Sequence, residues 1–167
     1  MLQGEFLMTG SGPAVVGQAL LAAEAEEVES RFGKVTVYPR QPIQFPNGLL
    51  GMPDRVSFSL AHFPSEKMAR FKLLQSLEDH ALSFITLPID LTNPIIARED
   101  LETAARDLEI PLDALAVLLV VTVHREAGVA KLSVNARAPL LMHVGRRVAA
   151  QYVFANTKYP IRQPLTV

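Results

Sequence analysis

From Phe32 onward the apolar side chains of this chain recur at every second residue, again and again, and that is the period of a strand half-buried in a sheet. In "KVTVY" Val35 and Val37 share one side and Thr36 takes the other. "VSFSL" alternates as cleanly, with Val56, Phe58 and Leu60 directed inward and Ser57 and Ser59 outward. "FKLLQS" and "ALSFITLP" make two further strands, joined by "LEDHA", which is short enough for a hairpin. "ALAVLLVVTVHR" is apolar almost throughout, and its β-branched valines favour a strand buried on both faces over a helix. "REAG" turns the chain into "VAKLSVN", "VAAQYVFA" alternates again, and the prolines of "TKYPIRQPLTV" suit a sheet edge.

Between the first strands lies "PNGLLGMPD", a turn cluster whose Asn47-Gly48 pair tolerates positive φ. Helical spacing stands out once in this body, in "REDLETAARDLEIP", where Leu101, Ala104, Ala105 and Leu108 share a face and Pro111 follows the end. About seven to nine short strands with one short helix predict an all-β fold in a single domain, an antiparallel barrel or sandwich. With 167 residues, 49% of them hydrophobic, the chain can bury one sizeable core.

Residues 1–30 read differently. Gly10, Gly12 and Pro13 break any early structure, and "AVVGQALLAAEAEEVES" is rich in helix-favouring alanine and glutamate. This segment is expected to be an acidic N-terminal extension, disordered or weakly helical, ahead of a β domain over 31–167. It carries five of the 17 acidic residues and no Lys or Arg, which does not fit an export signal and leaves the body with 16 cations against 12 anions. No apolar run approaches the roughly 20 residues of a membrane span. The absence of cysteine excludes disulfides, thiolate metal sites and a cysteine nucleophile, and fits the cytoplasm.

Converging catalytic groups are not visible. His62, His80, His124 and His143 lack the spacing that sets two imidazoles on one metal, so no metal or other cofactor is expected. Glu78, Asp79 and His80 read as a solvated turn with ordinary carboxylates. No GxSxG, P-loop or dinucleotide fingerprint is present, so the chain reads as non-enzymatic. From Arg125 on, the cations Arg125, Lys131, Arg137, Arg146, Arg147, Lys158 and Arg162 face only Glu126, a stripe that is either a solvated face or a site for phosphate or an acidic protein. An RNA-binding module in this C-terminal third is the alternative function. Tyr152, Phe154 and Tyr159 would be its stacking platforms, although Tyr152 and Phe154 share a face with Val148 and Ala150, as core residues would.

Three segments together resemble one family, the flagellar assembly factor FliW. "FGKVTVYPRQPIQFPNGLLGMPDRVSFSL" is similar to its opening strand and glycine turn, with Leu50 and Met52 where the family usually has proline and phenylalanine. "LQSLEDHALSFITLP" is similar to its LQS segment, and "LLVVTVHREAGVAKLSVNARAPLLMHVGRRVAAQYVFANTKYPIRQPL" to its VTV strand, NLxAP motif and Q…N…Y…R…L ending. The resemblance covers about residues 28 to 165.

It implies a β-barrel-like domain that works by binding proteins. Its partners would be the RNA-binding carbon storage regulator CsrA, which family members keep from repressing flagellin translation, and flagellin, which frees CsrA as it accumulates. No direct contact with nucleic acid and no membrane are implied. Gln75 and Ser76 match LQS, Asn135, Ala138 and Pro139 match NLxAP, and Gln151, Asn156 and Tyr159 match the ending. These eight are the candidate partner-binding residues. The other role open to them is structural, since a buried amide or hydroxyl often satisfies backbone groups at a strand end, where an unpaired polar group costs about 1–3 kcal/mol.

Overall fold

The computed structural model describes residues 24–166. Within these residues eleven strands run in chain order: β1 (Glu26–Ser30), β2 (Gly33–Val37), β3 (Ile43–Gln44), β4 (Ser57–His62), β5 (Lys72–Ser76), β6 (Ser83–Ile89), β7 (Leu115–Glu126), β8 (Val129–Val134), β9 (Leu140–His143), β10 (Val148–Gln151) and β11 (Gln163–Leu165). Among the described residues one α-helix, α1 (Arg98–Asp107), lies between β6 and β7, where the 3.6-residue spacing predicts it. Leu101, Ala104 and Ala105 are its buried face.

Seven strands close a ring in the order β7-β6-β5-β4-β3-β10-β9, and β9 returns to pair with β7. Every neighbouring pair is antiparallel except β10 with β3, which is parallel, pairs Val148 with Gln44, and is reinforced by Gln44 N–H donating to Arg147 O at 2.8 Å. Short strands and alternation specify such a closed sheet, because closure removes the edges an open sheet would expose. Inside it lie Ile43, Phe58, Leu74, Leu118, Leu140 and Ala149.

The ring is also covered from outside in two places. The buried face of α1 meets Val117, Leu119 and Leu141, with Phe154 and Tyr159 completing that cluster. A hairpin, β1–β2, lays Val28, Val35 and Val37 over Ala61 and Leu73.

This second cover revises several expectations. Glu26–Ser30, placed in the acidic extension, form a strand in register with β2 from Glu26↔Val37 to Ser30↔Gly33. Residues 1–23 of that extension lie outside the described residues. Ser59 does point away from the ring interior, yet it is only 1% exposed, because β2 lies over it and Tyr38 N–H donates to its Oγ at 3.1 Å. The long strand β7 is buried on both faces only over Val117–Leu119; beyond Val121 it leaves the ring and becomes exposed. There it forms a projecting hairpin with β8 through the two-residue turn Ala127-Gly128, both with positive φ as a type I′ turn requires.

Candidate functional site

The three segments that carry the family resemblance meet at one end of the ring. Strands β4, β6 and β9 begin there and β3, β5 and β10 end there, so the 46–55 turn, the 77–82 connection and the 135–139 segment form a single rim.

Gln75 lies on β5 facing Ser59 and Ser83, and none of its surface reaches solvent. Its Nε2 donates to the carbonyls of Ser76, His80 and Leu82 at 3.0, 3.1 and 3.2 Å, so it gathers the 77–82 connection from beneath. Ser76 is equally buried, and its Oγ accepts from the Glu78 and Asp79 amides at 3.2 and 3.1 Å. A strand here ends in glutamine and serine because the reversing backbone needs these partners. Neither residue presents surface in this structure, and the side chains of both bond to the loop that follows them.

Glu78 corrects the picture of a merely solvated turn. Its Oε1 accepts from Val56 and Ser57 N–H at 2.8 and 2.7 Å, tying the connection to the start of β4. The Ser57 and Val56 amides, in that order, hold its carboxyl below the usual glutamate range, with a smaller contribution from Arg55.

In the third segment Asn135 Oδ1 accepts from Arg137 and Ala138 N–H at 3.1 and 3.0 Å, and Ala138 and Pro139 are buried. Gln151 lies beyond Ala149 on the inward side of β10, at the rim, where it acts as a clamp. Its Oε1 accepts from Leu50 N–H at 2.9 Å and its Nε2 donates to Ala138 O at 3.2 Å, joining two of the segments. Asn156 is exposed and accepts from Lys158 N–H at 3.0 Å.

Tyr159 borders the same segment from outside, where Arg137 Nε donates to its carbonyl at 3.0 Å, but its ring is buried against Phe154 with centroids 4.9 Å apart. Its hydroxyl accepts from Ala97 N–H at 3.0 Å and donates to Asp100, so it caps a helix that has no side-chain cap of its own. Asp100 also accepts from Lys158 Nζ at 3.0 Å. The Tyr159 hydroxyl first, and Lys158 second, hold the Asp100 carboxyl below its ordinary range. A depressed carboxylate contributes stability above its unfolded pKa and loses it as pH falls through the folded one. The difference in melting temperature between the wild type and Asp100→Asn is therefore expected to be largest near neutrality and to close as pH drops below about 4. Thermal melts across that range check this.

Sequence reasoning missed the rim's exposed apolar residues, Leu50 at 60% and Val153 at 49%. The signal for Leu50 was its position between Gly48 and Gly51 in a tight turn; Val153, flanked by Tyr152 and Phe154, gave none. Four of the seven side chains of the basic stripe are engaged within the chain. Lys131 pairs with Glu126 and Lys158 with Asp100, while Arg137 and Arg147 donate to the carbonyls of Tyr159 and Gln41. Phe154 and Tyr159 are buried, and Tyr152 is half-buried with its hydroxyl donating to Asp107, so the proposed stacking platforms belong to the core. His62 and His143 serve local bonds, the first with Lys72 Nζ at 3.0 Å, the second accepting from Arg146 N–H at 3.2 Å.

Gln75→Ala removes three bonds to carbonyls of its own loop and is expected to cost about 2 kcal/mol, a fall in Tm of roughly 4–8 °C. If the residue acts only by holding its loop, partner affinity measured well below the melt stays within twofold of wild type. A large loss of affinity with unchanged Tm would contradict that role.

These features define the class: a small strand-ring domain whose motifs are anchored from within and converge on one rim. Residues 27–165 match the FliW protein family. The flagellar assembly factor FliW of Clostridium beijerinckii is 30% identical over 140 residues, covering 80% of this chain and 92% of that protein. Its counterpart in Leptospira interrogans is 29% identical over 147 residues, covering 83% and 92%. A crystal structure of the flagellar assembly factor FliW superposes with a TM-score of 0.64 at 21% identity, covering 83% of this chain and 96% of the other. The chain belongs to the FliW family of flagellar assembly factors.

Proposed function

We propose that this protein is a partner switch in the cytoplasm: it binds CsrA and relieves repression of flagellin translation, and it is itself titrated by flagellin. The reading rests on family membership over 27–165. One structural observation supports it most, the convergence of all three family segments on a rim whose polar motif residues turn inward as scaffolding. Such a rim presents a shaped protein surface, carries out no bond-breaking step, and recognises a partner by complementarity.

The test is reconstitution. Purified protein is added to CsrA bound to an RNA carrying its target, and the RNA is followed by fluorescence anisotropy. Release of the RNA on addition of this protein, reversed by flagellin, is the expected result. RNA that stays bound at saturating protein would overturn the reading, and direct binding of free RNA, weakening steeply with salt, would replace it with the nucleic-acid alternative.

A further inference from the structure

Strand β7 pairs with β6 only as far as Val120, opposite Thr86, and then continues to Glu126 with β8 on one side alone. Asn135 N–H donates to Val120 O at 2.9 Å, which fixes which way the backbone faces. In an antiparallel pair alternate residues turn their N–H and C=O groups to the same neighbour. Val120, Thr122, His124 and Glu126 therefore bond toward β8, while Val123 and Arg125 turn theirs to the open edge.

Other outer strands of the described chain are blunted. On β1 the exposed residues are Glu26, Glu27 and Glu29, and β11 carries Pro164. The open edge of β7 has no proline and no bulge in its register with β8, and Val123 on it is 51% exposed. A second observation lies across the gap. Continuing the β6–β7 register past Thr86↔Val120 would set Ser83 opposite Val123, and Ser83 is buried with an Oγ that has no partner.

We propose that this edge takes an extended strand of a protein partner, main chain to main chain at Val123 and Arg125, with an acidic side chain of that strand against Arg125. Backbone pairing supplies affinity in this mode and side chains supply choice. Arg125 is exposed and forms no ion pair among the described residues. The proposal rests on the partner-switch reading above. Of its two partners the RNA-binding one presents cationic surface to phosphate and suits an arginine poorly, so the occupant is a segment of flagellin.

The test uses Val123→Pro. Proline there deletes an N–H that points to the open edge, so the hairpin and fold should persist, with an unchanged far-UV spectrum, whereas affinity for flagellin should fall at least tenfold and affinity for CsrA should not. Arg125→Glu should weaken flagellin binding further as salt is lowered. In the unmodified protein, hydrogen exchange gives a readout independent of any variant: the Val123 and Arg125 amides should exchange fast alone and become protected with flagellin.

Unaltered flagellin affinity in a folded Val123→Pro, or no protection of these two amides, overturns the proposal while leaving the partner switch standing. Loss of self-association instead of flagellin binding assigns the edge to a second copy of the chain and also overturns it. Failure of the unmodified protein to bind either partner defeats both readings.

Discussion

Phe58→Ala is expected to destabilise the domain by about 3–5 kcal/mol, the range for emptying a fully buried aromatic position. Phe58 has no exposed surface. Its ring meets Phe45 edge-on at 5.3 Å and Phe84 at 6.4 Å, in the interior of the ring. The strands around it are held by hydrogen bonds on both sides, so the cavity cannot close by sliding one of them inward. Against a typical total stability of about 5–15 kcal/mol this is a large share, and Tm should drop by roughly 10–15 °C. Urea titration should show a lower midpoint with an unchanged slope. Phe58→Leu, which keeps most of the volume, should cost less than half as much. Equal losses for the two variants would mean that the ring interior is not the close-packed core described here.

Gly48→Ala should be nearly as damaging, for a different reason. Gly48 has φ +65°, and a Cβ there would sit 2.4 Å from Met52 O and 2.6 Å from Pro53 Cα. These are backbone atoms of the same tight turn, so no side chain can rotate away. Relief requires the turn to open, which breaks the Leu49↔Met52 bridge and pulls Leu50 N–H from Gln151. A cost of about 3 kcal/mol is expected, or roughly 6–12 °C in Tm. Gly51→Ala is the control: its φ is also positive at +81° but a Cβ would meet nothing within 4 Å, so backbone strain alone remains. The difference between the two melts measures the clash. If both lose the same amount, steric contact with Met52 and Pro53 is not what makes Gly48 necessary.

How far the sequence predicts this molecule is clearest strand by strand. Val35 and Val37 inside with Thr36 out, the helix over Arg98–Asp107 and the Ala127-Gly128 turn follow from periodicity and turn chemistry. Strand β1 does not. "EEVES" has one apolar residue and three glutamates, a composition that reads as a solvated tail, and only Val28 and Ser30 of it are buried. Missing that hairpin hides the burial of Ser59 and Gln75 as well, because their faces are outer faces that only a second layer covers. The family motifs could be located on the chain, but their roles could not. Whether Gln75 binds a partner or three carbonyls of its own loop depends on where His80 and Leu82 turn their oxygens, and residue type does not encode that.

The parallel contact that closes the ring joins β3, at Ile43–Gln44, to β10, at Val148–Gln151. During synthesis on the ribosome, β3 has no lateral partner on that side until more than a hundred further residues have been made. The growing chain therefore exists for a time as a curved, unclosed sheet with the Phe58 side uncovered. Closure of such a distant pair is entropically slow, so the last strands to emerge set the moment at which the product ceases to be vulnerable to association and proteolysis.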